Sequence, residues 1–276
     1  RLARAVSLRG QLGVVSGTGI DTVVARRLQM GDPGGHLRAA FDAFPVPAIA
    51  RRVWERHYIE GGKTRGAAYK SKAVPTIKMP RALLDLIVLS NFAEVYLAKA
   101  GHPGKVGINL LEKVQLPNLA TLYGAMLAGV DYVLMGAGIP MKIPGVLDRF
   151  ATHQPATYPL AVAGAGADEA VLLSFDPHEV VGSTLPPLTR PKFLPIIASD
   201  VLALSLTRRA NGKVDGFIVE APTAGGHNAP PRGVLQLNER GEPVYGPRDV
   251  VNLEKLKEIG LPFWLAGGAG TAEGLR

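Results

Sequence analysis

Residues 216–233 read GFIVEAPTAGGHNAPPRG, and the interpretation of the whole sequence starts from them. The stretch opens with the apolar run Phe217-Ile218-Val219 between a glycine and a proline, which is typical of a buried strand. A Gly-Gly pair and His227 follow, and Pro230-Pro231 end any regular element. Glycine lets a ligand approach the backbone closely, and a histidine can exchange protons near neutral pH. The stretch therefore predicts a strand end that carries a ligand-binding loop with an acid/base group.

Length and composition bound the class of protein. A chain of 276 residues suits one large α/β domain, and a hydrophobic content of 47% is enough for a buried core. The absence of cysteine excludes disulfides, thiolate metal sites and a cysteine nucleophile, and it fits a cytoplasmic protein. No apolar run approaches the roughly 20 residues that span a membrane, and no His/Asp/Glu spacing predicts a metal site.

The net charge of +8 fits a solvated basic surface, and such a positive field also favours anionic ligands such as FMN, nucleotides or acyl carriers. Lysines and arginines are scattered and no nucleic-acid-binding module is present, so we expect no nucleic-acid partner.

Strand-like and helix-like segments alternate along the chain. Strands are predicted at 14–19, 106–111, 132–136, 193–199, 216–221 and 261–266, with helices between them. Such alternation is typical of a parallel sheet with helices outside it, and a closed barrel of this kind has eight strands. Two departures are predicted: residues 58–80 as an irregular, basic excursion that acts as a lid, and residues 157–191 as an inserted hairpin. Its strands are expected at 160–163 and 170–175, around a glycine-rich turn.

Three motifs carry a family resemblance. Motifs of the FMN-dependent nitronate monooxygenases, also called 2-nitropropane dioxygenases, resemble three stretches of this chain and follow the same order along it. The stretches are residues 106–111 (VGINLL), residues 224–227 (AGGH) and residues 265–270 (LAGGAG). They are also similar to motifs of the related FMN-dependent enoyl-ACP reductases. The resemblance implies one TIM (β/α)8 barrel domain over residues 1–276 that binds FMN. This chain is then expected to lack the first and last barrel strands and to continue past its last residue.

The same resemblance implies roles for particular residues. His227 matches the catalytic acid/base, and Asn109 matches a contact to the polar edge of the flavin ring. The glycine turns match the phosphate-binding backbone, whose N–H groups can converge on phosphate oxygens. The full set of cofactor-binding predictions is Ser16, Gly17, Asn109, Ser199, Glu220, Gly225, Gly226, Gly267, Gly268 and Thr271.

The implied activity is oxidation of alkyl nitronates with O2 to a carbonyl compound and nitrite. The alternative is an enoyl reductase that uses NAD(P)H as reductant and acts on acyl-carrier substrates. Glu220 favours the alternative, because the enoyl reductases more often have glutamate where nitronate monooxygenases have glutamine. A third interpretation is a phosphate-binding barrel without a flavin. The expected partner is a small molecule, a nitronate or an enoyl thioester, with no membrane; the resemblance also allows a homodimer.

Overall fold

The computed structural model describes residues 1–164, 166, 170–182, 185–225, 228–268, 271 and 273. The chain divides into two compact units. The first consists of residues 1–110, 114–133 and 146–191, and the second consists of residues 111–113, 134–145 and 192–276.

Strands and helices alternate as the sequence predicts. The strands are β1 (Gly13–Ser16), β2 (Val106–Leu111), β3 (Tyr132–Gly136), β4 (Ala156–Leu160), β5 (Val171–Phe175), β6 (Lys192–Ile197), β7 (Phe217–Glu220) and β8 (Phe263–Ala266). The helices are α1 (Leu2–Ser7), α2 (Ile20–Gln29), α3 (His36–Asp42), α4 (Pro47–His57), α5 (Arg81–Lys99), α6 (Asn118–Leu127), α7 (Ile143–Ala151), α8 (Pro177–Val181), α9 (Asp200–Arg209) and α10 (Leu253–Glu258). A short 3-10 helix at Pro247–Asp249 precedes α10.

Six strands form one parallel sheet in the order β1-β2-β3-β6-β7-β8. This confirms the mixed α/β class and the six predicted sheet strands, and the order is compatible with part of a (β/α)8 barrel. In the first unit Ser16 lies opposite Asn109, and in the second unit Glu220 lies opposite Ala266. Because the strands are parallel, their carboxyl ends lie at one edge of the sheet, where ligands bind in α/β proteins.

The core of the first unit is built on α5 and α6. Nearly every side chain of α6 is buried, so this helix is apolar all round rather than amphipathic. Gly124 of α6 faces α5, where a Cβ atom would lie 2.2 Å from the carbonyl oxygen of Val88. The two helices can approach this closely only because residue 124 has no side chain.

The predicted hairpin is confirmed, but its first strand is displaced, and its being an insertion stays a prediction. Strands β4 and β5 pair antiparallel, with Tyr158 opposite Leu173. The prediction placed the first strand at 160–163, whereas it spans Ala156–Leu160. The apolar run that suggested the later position is too short to distinguish a strand from a turn, and alternating burial of Ala156 and Tyr158 marks the true strand. Helix α8 was not predicted, although Asp176 caps it through the His178 N–H and Pro177 occupies its first turn.

The predicted lid segment packs along α2 for much of its length. The buried Gln29 side chain accepts the Lys70 N–H at 2.7 Å and donates to the Lys70 carbonyl at 3.2 Å. Lys72 forms an ion pair of 2.6 Å with Asp21, in the first turn of α2. Whether residues 58–80 close over a ligand stays a prediction.

An aspartate before β3 and another before β7 perform the same local task. Asp131 accepts the Val106 N–H at 3.0 Å, and its own N–H donates to the Val106 carbonyl at 2.9 Å. Asp215 makes the same pair of bonds with Phe193, at 2.9 Å and 3.0 Å. The chain before each of these strands is therefore tied to the beginning of an earlier strand: Val106 is the first residue of β2, and Phe193 is the second residue of β6. Both ties lie at the edge of the sheet opposite the carboxyl ends.

Asp131 is expected to make the first unit sensitive to acid. Burial raises the pKa of Asp131, but hydrogen bonds from Lys99, the Val106 N–H and Lys105 outweigh it, so the pKa lies below its ordinary value. A carboxyl whose pKa is lowered by folding stabilises the folded state above its unfolded pKa of about 3.9. That contribution is lost as the pH falls through the lower folded pKa.

Urea unfolding of the wild type and of Asp131→Asn at several pH values between neutrality and strong acid tests this expectation. The wild type should lose more stability than the variant as the pH falls. Asp42→Asn, at an exposed ion pair, is the matched control and should follow the wild type. An unchanged acid dependence in Asp131→Asn would contradict the expectation.

Candidate functional site

The carboxyl ends of three neighbouring strands form the candidate site in the second unit. Strands β6, β7 and β8 pair in parallel, so the segments that follow them emerge together. These segments carry Ser199 after β6, Glu220 at the end of β7, and Gly267-Gly268 after β8. The structure thus brings together predicted site residues that lie far apart in the sequence.

The two glycine motifs of the second unit are in contact. A Cβ atom on Gly267 would lie 2.7 Å from the backbone nitrogen of Ala224 and 2.9 Å from the Thr223 hydroxyl oxygen. Gly267 and Gly268 have φ angles of 104° and 76°, a left-handed conformation that other residues rarely adopt. The Ala221 N–H donates to the Ala266 carbonyl at 2.9 Å and joins the two strand ends. Glycine at 267 is therefore required by both its conformation and its neighbour.

Backbone donors remain for a ligand at these turns. Within the ranges that the structure describes, no hydrogen bond uses the N–H groups of Gly225, Gly267 or Gly268. Gly225 and Gly268 are exposed, and Gly267 is half-buried. Backbone N–H groups without side-chain bulk are a common means of binding anions such as phosphate.

A cavity of about 210 Å³ lies beside the turns. Its polar lining comes from Ser199, Glu220, Asn228, Arg232, Tyr245 and Asp249. The Asn228 side-chain nitrogen donates to the carbonyls of Pro222 at 2.8 Å and Ala224 at 3.1 Å, so it holds the loop after β7 in a fixed turn. Its side-chain oxygen is buried and has no hydrogen-bond partner among the described atoms. A ligand with a donor group could satisfy that oxygen.

Arg232 and Asp249 position the far wall of the cavity, and the sequence interpretation missed both. Asp249 accepts the N–H of Arg232 at 2.8 Å and the N–H of Gly246 at 2.7 Å. The backbone N–H groups of Gly246 and Arg232 hold the pKa of Asp249 below its usual range. The Tyr245 hydroxyl donates to the Ala229 carbonyl at 3.1 Å. The one signal in the sequence for Arg232 was its position directly after Pro230-Pro231. No periodic pattern indicated that Asp249 bonds to the loop that contains it.

Ser199 has a structural task at the cavity. It begins α9 as the N-cap, and its hydroxyl accepts the Leu202 N–H at 3.1 Å. Its hydroxyl hydrogen remains a possible donor toward the cavity, because an acceptor role at the cap does not use it. A cofactor contact from Ser199 stays a prediction.

Three predicted residues belong to the first unit. Ser16 and Asn109 lie opposite each other at the ends of β1 and β2, and both are exposed. The Gly17 N–H donates to the Asn109 carbonyl at 2.9 Å. A Cβ atom on Gly17 would lie 2.6 Å from side-chain atoms of Ile108 and Leu110, so a larger residue there would require these two side chains to shift. The structure brings these three residues together, and their contact with a flavin ring stays a prediction.

The catalytic prediction lies outside the described residues. His227 and Gly226 fall in the gap between residues 225 and 228. Thr271 is exposed and takes part in an interaction of its own. Within the described part of the chain, no cluster of three or more His, Asp or Glu side chains could hold a metal ion. None of the described helices is long and apolar enough to cross a membrane.

Gly267→Ala is expected to destabilise the second unit more than Gly260→Ala does. Both glycines have positive φ angles, 104° and 74°, so alanine is strained at either position. Only at Gly267 would the added methyl also overlap backbone atoms, because nothing lies within 4 Å of a Cβ on Gly260. Overpacking of this kind costs about 1–3 kcal/mol, which should appear as the difference between the two variants in urea unfolding. Equal losses of stability would show that the contact with Ala224 is unimportant.

Comparison of the chain with protein-family models, with curated proteins and with solved structures gave no match.

Proposed function

We propose that this chain is an FMN-dependent oxidoreductase of TIM-barrel type that oxidises alkyl nitronates with O2 to a carbonyl compound and nitrite. The observation that carries the proposal is the contact between the two glycine turns. The AGGH and LAGGAG motifs lie about 40 residues apart, yet Gly267 packs against Ala224 at neighbouring strand ends. Two motifs that resemble one family therefore lie side by side in space as a shared binding site requires.

The residues at the turns fit the phosphate of FMN. The N–H groups of Gly225, Gly267 and Gly268 supply donors for an anion, and the chain's net charge of +8 attracts one. Bound FMN would supply the electron-accepting chemistry that nitronate oxidation with O2 needs.

The chain's own residues would bind and orient the substrate and move one proton. His227 takes the proton from the carbon of a neutral nitroalkane, or orients a nitronate that has already lost it. Asn228, the residue after this histidine in the sequence, donates to the carbonyls of Pro222 and Ala224. The contacts proposed for Ser16, Gly17 and Asn109 rest on the resemblance alone.

The second candidate is an enoyl reductase that takes reducing equivalents from NAD(P)H. Glu220 favours it, because the resembled enoyl reductases more often have glutamate at this position. Here the glutamate ends β7 and lines the cavity together with Ser199. His227 would then donate a proton to the α-carbon of the enoyl substrate instead of removing one.

Anaerobic mixing of FMN-loaded protein with propionate 3-nitronate and, in a separate run, with NADPH tests the proposal. Flavin absorbance reports reduction in each run. We expect the nitronate to bleach the flavin and NADPH to leave it unchanged. Bleaching by NADPH alone would replace the proposal with the reductase. A protein that fails to take up FMN would favour the phosphate-binding barrel without a flavin.

A further inference from the structure

Positive charge is concentrated in one part of the first unit. Residues 51–81 contain nine lysines or arginines and two glutamates, so this segment alone has a formal net charge of +7, against +8 for the whole chain. The oxidoreductase proposal uses none of these residues. Such a field attracts and concentrates anions in any cleft that opens onto it.

A cleft of about 520 Å³ opens between α4 and α5 within this segment. It is lined by Arg52, Val53, Glu55, Arg56, Arg81, Ala82 and Asp85. Its volume lies within the range of about 300–1,000 Å³ that small-molecule sites occupy. Three arginines therefore line a space large enough for a small ligand.

A buried carboxylate fixes two of the three arginines. The Asp85 side chain is only 2% exposed, and it accepts from Arg52 at 2.8 Å and 2.9 Å and from Arg81 at 2.7 Å. Arg81 also donates to the carbonyls of Glu179 and Val180 in α8, at 2.8 Å and 2.6 Å. A guanidinium group has five N–H donors, so both arginines keep donors for a ligand while their positions are fixed. Preorganised charge of this kind lowers the entropic cost of binding.

The third arginine has no such restraint. Among the described residues, Arg56 forms no ion pair and no hydrogen bond, and it is exposed at the mouth of the cleft. Asp85 is already neutralised and buried, so Glu55 is the one carboxylate of the lining that reaches solvent. With three arginines and two carboxylates, the lining has a formal net charge of +1, and Arg56 is the arginine whose charge Asp85 does not offset.

We propose that the cleft between α4 and α5 binds a phosphate ester, with Arg56 as the residue that closes on the phosphate. Arginine's planar fork matches two oxygens of a phosphate group, and the remaining N–H donors of Arg52 and Arg81 can add hydrogen bonds to the charge of Arg56. The site lies wholly in the first unit and shares no residue with the proposed flavin site. The shared chemistry is the phosphate group, which either inorganic phosphate or a nucleotide can supply.

Isothermal titration calorimetry on the FMN-loaded protein tests the proposal, with inorganic phosphate and adenosine 5′-monophosphate as separate titrants. Loading with FMN keeps the second unit's glycine turns from contributing. We expect binding of at least one titrant, weakened about tenfold or more in Arg56→Gln, since a charge-assisted hydrogen bond is lost. Equal affinity for both titrants would show that the phosphate alone is recognised, and tighter binding of the nucleotide would extend the site to a nucleoside.

Arg51→Gln is the matched control. Arg51 lies on the same helix as Arg56 but does not line the cleft, and its substitution removes the same charge. It should retain binding to within about twofold, as expected for a screened charge at a distance. Equal losses of affinity in Arg51→Gln and Arg56→Gln would show that the anion responds only to the overall positive charge of the segment, and would overturn the proposal. Absence of heat with both titrants would also overturn it. Unchanged melting temperatures of the two variants exclude misfolding as the cause.

Discussion

Replacing both Arg52 and Arg81 with methionine is expected to lower the free energy of unfolding by about 3–5 kcal/mol. The double variant leaves the carboxylate of Asp85 buried, with a side-chain exposure of 2%, and removes both ion pairs that it makes with residues the structure describes. A charge that has lost its partners in the protein interior cannot regain its hydration without opening the structure. The loss includes two bonds from Arg81 to the carbonyls of α8, so that helix should loosen as well.

A third substitution, Asp85→Leu, tests whether the unpaired carboxylate causes the loss of stability. Adding Asp85→Leu to the double variant removes the stranded charge and should recover most of the lost stability. A well-packed apolar side chain often replaces a buried ion pair with little net cost. Recovery would show that the penalty comes from the unpaired carboxylate rather than from the loss of two long side chains.

Urea unfolding measures each variant against the wild type. Arg38→Met is the matched control, because Arg38 pairs with Asp42 on the surface, where both side chains are about 60% exposed. It should change stability by less than about 1 kcal/mol. A double variant that behaves like Arg38→Met would show that Asp85 is hydrated in solution.

Much of the fold could be predicted because it depends on local patterns. Strands β2 and β3 begin and end where the sequence predicts, at Val106–Leu111 and Tyr132–Gly136. In each case an apolar pattern stops at a residue that cannot extend it. Short elements were harder: β4 and α8 each span five residues, too few for periodicity to locate them.

The remainder depends on contacts between distant residues. Arg52 and Asp85 are 33 positions apart, and composition shows their charges without showing that they share a buried site. Arg232 and Asp249 are joined through a loop with no regular pattern, so neither could be assigned to the cavity beforehand. Only the motifs suggested that the two glycine turns lie close together. The structure shows why residue 267 is glycine, because a Cβ atom there would overlap the backbone nitrogen of Ala224.

His227→Ala is expected to reduce turnover of a neutral nitroalkane by about 10²–10⁴-fold while FMN stays bound. The proposed base removes a proton from carbon, and water at neutral pH is a poor substitute for a positioned imidazole. In the proposed site the glycine turns, not the histidine, donate to the phosphate, so we expect flavin content not to fall. Steady-state oxygen consumption with nitroethane, at equal flavin content, measures the effect.

The matching nitronate separates the two tasks proposed for His227. Ethylnitronate has already lost the proton, so a histidine that acts only as a base is unnecessary for its oxidation. A large loss with nitroethane and a small loss with ethylnitronate would identify a base, whereas equal large losses would identify a residue that orients the substrate. His178→Ala, at an exposed position of α8, should leave both rates unchanged. If His227→Ala also left both rates unchanged, the proton would have to move through another group. The resemblance of residues 224–227 to a catalytic motif would then concern phosphate binding alone.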